Sequence, residues 1–382
     1  SLMRLLHTSD WHVGKTIRGR SRADEHVAVL SEIADLVTEH SVDIVVVAGD
    51  LFETASPAPE AERIVWGALL DLAERAEHVV VISGNHDNAR RLDAVRPLFE
   101  RVSVVVQTEP ARPDEGGVQS LEIDGVRIRV ALLPFVSQRR IVRAGELMSG
   151  AAFEHAAAYA DRVRAVIAAL SADFQPDDVN VVVGHAFVHG GAAGGGERAA
   201  HLVEQYAVMA QAFPVSANYV ALGHLHRAQK IPGPTAIHYC GSPLQLDFGE
   251  EAQRKQVNLV ELQPGAPAAV TALPLRSGRE LLTVAGTLDE LRGVDAGSAW
   301  LRVNVHEARR ADLADDVRTL LGDGVVDVII DAPAPSTQRR NRPTNRDPIA
   351  LFGAYLDDLG IVDERLAQLF ATLLEDEGVD VR

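Results

Sequence analysis

Five short apolar runs in this chain each end in a tight turn that carries Asp, Asn or His. The runs and the polar residues that follow them are Arg4–Thr8 with Asp10 and His12, Ile44–Val47 with Asp50, Val79–Ile82 with Asn85, His86 and Asp87, Val181–Val183 with His185, and Tyr219–Leu222 with His224 and His226. Ligand sites of α/β sheets lie beyond the carboxyl ends of the strands. The pattern therefore predicts a sheet whose loops converge on one site.

Segments typical of strands and helices alternate over residues 3 to about 275, which predicts a layered α/β domain. Helices are predicted at Asp24–His40, Pro59–Arg75 and Ala151–Leu170, where apolar positions recur at helical spacing. A β-hairpin is predicted for Val118–Ile123 and Val126–Leu133, around the turn residues Asp124 and Gly125.

The last third of the chain divides into smaller units. Residues 281–332 alternate strand and helix, and this predicts a small α+β domain after the first domain at 3–275. Residues 333–346 form a linker whose arginines could bind phosphate or simply be solvated. Residues 347–382 begin with the good helix start Asp347-Pro348. They predict two amphipathic helices that either fold back on their own domain or bind a partner.

Composition limits the classes of function. A formal net charge of −17 argues against a protein that coats nucleic acid electrostatically. It does not argue against a nuclease, because divalent cations would add positive charge where a phosphate must lie. The single Cys240 excludes an internal disulfide framework and favours a reducing cytoplasm. Neither a signal peptide nor a membrane-spanning run is evident.

One glycine-rich segment, residues 190–196, lacks the Gly-Lys-Ser/Thr ending of a phosphate-binding loop. Two interpretations stay open for it, a flexible loop or a mobile flap that contacts substrate.

The strand-end turns offer seven oxygen or nitrogen ligands and no sulfur. These are Asp10, His12, Asp50, Asn85, His185, His224 and His226. Such a set suits two divalent ions better than a structural zinc, with Asp50 as the natural bridge. Two ions would lower the pKa of a bound water and neutralise charge on a phosphoryl group under attack. His86, which the ligand count does not need, is then predicted to assist the leaving group, with Asp87 holding its imidazole.

These motifs resemble the calcineurin-like metallophosphoesterase superfamily. The surrounding residues resemble in particular the SbcD-type nuclease subunits of bacterial SbcCD complexes, over His7–Gly14, Ala48–Phe52, Ala221–Gln229 and Tyr239–Pro243. The resemblance is dense from Met3 to about Phe248. One departure is Glu53, where some relatives have histidine, and no catalytic role is predicted for it.

The resemblance implies a four-layer α-β-β-α sandwich with a small capping domain and a C-terminal helical element. It implies two divalent ions, which are manganese with Mg²⁺ left open as the alternative. Asp10, His12, Asp50 and His226 would bind the first ion, and Asp50, Asn85, His185 and His224 the second. It further implies DNA as substrate in repair and recombination, cleaved by an exonuclease at duplex ends and by an endonuclease on single strands and hairpins.

The partners that the resemblance implies are an SbcC-type ATPase with a coiled coil and a second copy of the chain, in a cytoplasmic complex that associates with the nucleoid on DNA. Apolar positions around Leu69 and Leu98 could contribute to dimerisation. Two other functions remain open, a phosphodiesterase of the same superfamily acting on small phosphoesters, and a non-catalytic scaffold that binds DNA ends.

Overall fold

Two six-stranded sheets carry the five turns. In this computed structural model, residues 2–137, 152–197 and 207–331 are described, together with residues 352, 355, 356, 366, 369 and 370. The first sheet has, in spatial order, β14 (Ala269–Pro274), β13 (Gln256–Leu262), β1 (Met3–Thr8), β4 (Ile44–Ala48), β5 (His78–Ile82) and β6 (Val104–Gln107). The second has β11 (Gln229–Ile231), β12 (Ala236–Tyr239), β10 (Tyr219–Gly223), β9 (Val179–His185), β8 (Val126–Leu133) and β7 (Val118–Ile123).

The strands that lead into the site are parallel neighbours. In the first sheet β1 pairs with β4 and β4 with β5, and in the second β9 pairs with β10, all in parallel. Strands of this kind are covered on both faces and consist of continuous apolar runs, as Ile44–Ala48 does with every residue buried. Their carboxyl ends therefore lie at one edge of each sheet.

Three apolar cores hold the layers together. One lies between the two sheets, where Val46 and Val80 pack with residues such as Val181 and Tyr219. A second lies between the first sheet and three helices, α1 (Ala23–Glu39), α2 (Pro59–Arg75) and α3 (Ala89–Phe99). A third lies between the second sheet and α4 (Ala152–Leu170). The layers run helix, sheet, sheet, helix, which confirms the predicted four-layer α/β fold.

Residues 281–330 form a separate three-stranded parallel sheet of β15 (Leu281–Gly286), β16 (Trp300–Val305) and β17 (Val325–Ile330), with helices α5 (Leu288–Leu291) and α6 (Leu313–Leu321). A two-stranded ribbon, β2 (Thr16–Ile17) with β3 (Arg20–Ser21), completes the sheets of the described residues. The chain divides into two compact units, Ser1–Asp331 and Ala332–Arg382. The division of the first unit into domains at 3–275 and 281–332 stays a prediction.

In the second unit the six described positions are helical. The rings of Phe352 and Phe370 stack with centroids 4.2 Å apart. The predicted linker at 333–346 and most of the predicted helix pair lie outside the described residues. Over the part of the chain that the structure describes, every helix is too short or too polar to cross a membrane.

Leu69 and Leu98 differ sharply in exposure. Leu69 is 1% exposed and belongs to the core under α2, whereas its neighbour Leu70 is 44% exposed. Leu98 is 68% exposed. A contribution to dimerisation from the positions around Leu69 and Leu98 stays a prediction.

Candidate metal centre

All five predicted turns meet at one place, where the carboxyl edges of the two sheets adjoin. The imidazole of His185, at the end of β9, donates from Nδ1 to the carbonyl of Ala48 at the end of β4, at 2.7 Å. Gly223, which precedes His224, approaches the same carbonyl so closely that a Cβ there would lie 1.9 Å from its oxygen. A side chain at this position would therefore push the sheets apart.

The predicted ligands lie within coordination range of one another. Three groups have donor atoms within 4.8 Å, namely Asp10, His12 and His226; His12, Asp50 and His86; and Asp10, Asp50 and His185. The amide oxygen of Asn85 joins them, at 2.9 Å from Nε2 of His185 and 2.8 Å from Nδ1 of His224. The structure thus brings all seven predicted ligands and His86 together.

Asp50 occupies the middle of the cluster. Its Oδ2 lies 3.6 Å from Nε2 of His12 and 3.4 Å from Nε2 of His185, while its Oδ1 accepts the backbone N–H of His86 at 2.8 Å. One carboxylate oxygen thus faces a histidine from each side of the cluster, which is the position that a bridging ligand needs.

The backbone at the ligands is held in an unusual conformation. Asp10, His12, Asp50 and His224 have φ of 53°, 47°, 53° and 108°. Residues other than glycine rarely adopt positive φ, and such strain persists only where the surroundings impose it. Here the constraint includes hydrogen bonds from the Asp10 N–H to the Gly49 carbonyl at 2.9 Å and from the His12 N–H to the Asp50 carbonyl at 3.0 Å.

Hydrogen bonds to one ring nitrogen orient three of the imidazoles. The Nδ1 atom of His12 donates to Glu53 at 3.0 Å, and that of His226 donates to Glu250 at 3.0 Å, as His185 does to Ala48. Each bond places the proton on Nδ1, which leaves Nε2 as the atom with a lone pair for a metal. Nε2 of His12 is buried and has no hydrogen-bond partner within the described residues.

The charges at the centre fit divalent cations. Burial raises the pKa of Asp10 to about 6 and lowers that of His12 to about 4. Burial also acts to raise the pKa of Asp50, but His185 outweighs it and holds that pKa well below its usual range. A buried carboxylate needs a cationic partner. Burial acts to lower the pKa of His185, but Asp50 outweighs it and raises that pKa to about 9, so a second proton on Nε2 would make the imidazolium such a partner. A divalent cation bound to Nε2 would displace this proton and take over its role beside Asp50.

Comparison with known proteins agrees with this geometry. Residues 3–228 match the calcineurin-like phosphoesterase family. The SbcD subunit of the SbcCD nuclease of Bacillus subtilis (strain 168) is 34% identical over 327 residues, which cover 82% of this chain and 81% of that protein. Those of Escherichia coli (strain K12) and Rhodobacter capsulatus are 32% and 31% identical, covering 75% and 76% of this chain and 72% and 76% of those proteins.

The chain belongs to the calcineurin-like phosphoesterases, in the family of SbcD nuclease subunits. Together with the ligand cluster, this membership makes it a metal-dependent nuclease, a phosphodiester hydrolase that uses divalent metal ions.

Sequence reasoning missed the residues that support His226. The Glu250 carboxylate is fully buried and also accepts from Lys255 Nζ at 2.7 Å. Glu197 accepts the backbone N–H of His226 at 2.8 Å. No strand-end motif marks either residue, so they carry no local signal that could have found them.

The glycine-rich segment at residues 190–196 packs against the residues that support His226. A Cβ on Gly196 would lie 2.3 Å from Glu250 Oε1 and 3.0 Å from His226 Nδ1. Glu197 also accepts the N–H groups of Gly194 and Gly195, at 2.7 and 2.8 Å. These glycines let the backbone pack against the metal centre. This packing role differs from both interpretations left open by the sequence, the flexible loop and the mobile flap.

The described hydrogen bonds of Asp87 come from backbone N–H groups, and its role in holding His86 stays a prediction. Its carboxylate accepts the backbone N–H groups of Gly84 at 2.8 Å, Phe52 at 3.1 Å and Leu51 at 3.3 Å, and so ties two site turns together. The Nδ1 atom of His86 donates to the carbonyl of Glu53 at 2.7 Å.

Proposed function

We propose that this chain is the nuclease subunit of an SbcCD-type complex and that it cleaves DNA with two divalent ions. The observation that carries the proposal is the donor set: Asp50 and six other buried or half-buried ligands lie together, with one further histidine, His86, beside them.

We assign the ligands to two groups that share Asp50. Asp10, His12, Asp50 and His226 would hold one ion. Asp50, Asn85, His185 and His224 would hold the other, which is supported by the short distances from Asn85 to both imidazoles. When bound, such ions supply a water of lowered pKa and neutralise charge on the phosphoryl oxygens.

His86 would give a proton to the leaving alkoxide. Because a carbonyl can only accept, the bond to Glu53 keeps one proton on Nδ1. The proton given to the leaving group would therefore be the second one of the imidazolium, carried on Nε2, and the ring would be left neutral. A general acid placed in this way typically contributes about 10²–10⁴ in rate. The ring packs edge-on to His12, with centroids 4.7 Å apart, so it lies beside the ligands.

The donor types favour Mn²⁺ over Mg²⁺. Four of the seven ligands are imidazoles, His12, His185, His224 and His226. Mg²⁺ is bound mainly through oxygen and keeps several waters, whereas imidazole ligands suit transition-metal ions. Among these ions we take Mn²⁺ from the family resemblance.

The remaining proposals concern DNA and partners. The relatives are SbcD subunits of SbcCD nucleases, which supports an SbcC-type partner. We propose that this partner is an ATPase with a coiled coil and that it binds residues 347–382. The net charge of −17 gives the isolated chain a weak electrostatic attraction for duplex. A homodimer within a heterotetramer, acting on nucleoid DNA in the cytoplasm, would supply more of the DNA contacts.

A nuclease assay with and without an SbcC-type partner and ATP, across Mn²⁺, Mg²⁺ and EDTA, tests the proposal. Single-stranded DNA, a hairpin and a duplex end serve as substrates beside cyclic AMP. We expect DNA cleavage with Mn²⁺ and none with EDTA. Hydrolysis of cyclic AMP without DNA cleavage, in the presence of the partner, would instead identify a small-molecule phosphodiesterase. Hydrolysis of neither substrate would identify a non-catalytic scaffold.

A further inference from the structure

A cleft of about 310 Å³ opens directly beside the metal centre. It lies between the turn that follows β5 and the segment that follows β8, and its walls include Asn85, Asn88, Arg90, Thr108 and Phe135. Only Asn85 among these belongs to the ligand set, so most of the cleft has no role in holding metal. Its contact with a ligand places any occupant next to the reacting phosphate.

Phe135 forms an aromatic wall of this cleft. It lies two residues beyond β8, and its N–H donates to the Ser83 carbonyl at 3.0 Å, which fixes it beside the turn after β5. Its ring lies parallel to that of His224, with an interplanar angle of 16° and centroids 6.4 Å apart, and edge-on to that of His185 at 6.2 Å. The residue is part-exposed. An accessible aromatic face beside a phosphate site is a stacking surface for a nucleobase.

Arg90 supplies a cation at the same cleft. Within the described residues no carboxylate pairs with its guanidinium. Its neighbour Arg91 pairs with Glu62 at 2.6 Å, and Arg96 pairs with Asp93 at 3.0 Å. In a chain with a net charge of −17, an exposed arginine beside the site that no described carboxylate neutralises is a candidate for a phosphate contact.

The one carboxylate on the cleft wall does not oppose an anion strongly. Asp87 already accepts three backbone N–H groups, and their dipoles offset its charge toward the cleft. Thr108, also on the wall, is 6% exposed and adds a small polar surface.

We propose that this cleft binds the nucleotide next to the scissile phosphate of single-stranded DNA, with its base on Phe135 and its second phosphate on Arg90. The inference rests on the proposed nuclease function and adds to it a substrate-binding site. A base can reach Phe135 only when it has left its neighbours in the stack. The cleft therefore selects single-stranded or frayed ends over intact duplex.

The test uses the full chain with its SbcC-type partner and Mn²⁺, in the variants Phe135→Leu, Phe135→Trp, Arg90→Ala and Arg91→Ala. Leucine keeps the apolar packing against His224 but removes the aromatic face, so a folding defect is separated from a loss of stacking. Each variant is assayed on a single-stranded oligonucleotide and on bis-p-nitrophenyl phosphate, which has no base. Binding is followed by quenching of 2-aminopurine placed next to the cleavage site.

Phe135→Leu is expected to lower kcat/KM on the oligonucleotide about tenfold more than on the small ester and to remove the quenching. Phe135→Trp should keep both the cleavage of the oligonucleotide and the quenching. Arg90→Ala should reduce the slope of log affinity against log salt by about 0.7, the value for one phosphate of a single strand. Arg91→Ala, the matched control on the same helix, should leave slope and cleavage unchanged.

Two results would overturn the proposal. One is an equal loss on both substrates in Phe135→Leu with quenching retained. The other is the same change in salt slope for Arg91→Ala as for Arg90→Ala, which would show a general charge effect. If the unmodified complex hydrolyses neither substrate, the proposed function itself fails, and this outcome is distinct from both.

Discussion

The carbonyl oxygen of Glu53 accepts a hydrogen bond from Nδ1 of His86 at 2.7 Å. The carboxylate of the same residue accepts from Nδ1 of His12 at 3.0 Å and from Lys15 at 3.1 Å. One residue thus orients both a predicted ligand and the predicted general acid. Burial acts to raise the pKa of Glu53, but His12 and Lys15 outweigh it and lower that pKa to about 2, so the side chain is ionised at neutral pH.

Replacing Glu53 is therefore expected to weaken metal binding, although the residue is not itself a predicted ligand. Loss of a carboxylate that orients a ligating histidine typically lowers metal affinity about 10–100-fold. Glu53→Ala should show this loss in calorimetric titration with Mn²⁺, and Glu53→Gln a smaller one because an amide oxygen can still accept. Lys15→Ala is the control that removes only the ion pair. Unchanged affinity in Glu53→Ala would contradict the orienting role.

His86→Ala is expected to separate chemistry from metal binding. Without a proton donor for the leaving group, cleavage of single-stranded DNA should fall about 10²–10⁴-fold. Mn²⁺ content after gel filtration, measured by mass spectrometry, should stay at the level of the unmodified chain. His86 lies in a group with His12 and Asp50 that has the geometry of a metal site. A loss of bound Mn²⁺ would therefore identify it as a ligand instead.

The strands and the converging turns could be predicted from the sequence because strand-end motifs are local. The hairpin strands Val118–Ile123 and Val126–Leu133 and the helix Pro59–Arg75 were predicted with the observed bounds. Glu250 could not be predicted, because its bond to His226 spans 24 residues and no periodicity or turn motif connects them. The bonds of Asp87 to Leu51 and Phe52 could not be predicted for a similar reason, since these two residues lie on another turn.

Gly223→Ala is expected to disrupt the contact between the two sheets at the Ala48 carbonyl. A Cβ there would lie 1.9 Å from the Ala48 carbonyl, so the backbone must shift at a cost of about 1–3 kcal/mol in stability. The shift should also weaken Mn²⁺ binding through His224. Gly67→Ala is the matched control because Gly67 is in the interior of α2 with nothing within 4 Å. It should stabilise the chain by about 0.5–1 kcal/mol. Urea unfolding checks both, and equal effects would contradict the steric explanation.

Glu250→Gln is expected to make stability less dependent on pH in acid. Burial acts to raise the pKa of Glu250, but His226 and Lys255 outweigh it and lower that pKa to about 2, below its ordinary 4.5. The stabilisation is therefore fully present above about pH 4.5 and is lost as the pH falls toward 2. Removing one partner of a buried pair costs about 3–5 kcal/mol. In urea unfolding with EDTA, the difference in the free energy of unfolding between Glu250→Gln and the unmodified chain should be largest at pH 7 and shrink below pH 4.5. A difference that is independent of pH would contradict the ionic contribution.

Leu369→Asp is expected to abolish association with an SbcC-type partner. In the second unit, Leu369 is 56% exposed and Tyr355 is 59% exposed. A docked coiled coil would cover this apolar surface. A charge placed there should prevent co-purification while Mn²⁺ binding in the first unit stays intact. Val215→Asp is the control, because Val215 is 80% exposed in the nuclease unit and its replacement should leave the complex unaffected. Truncation after Pro343 should reproduce the loss. Co-purification of both the truncated chain and Leu369→Asp would place the partner's binding surface elsewhere on the chain.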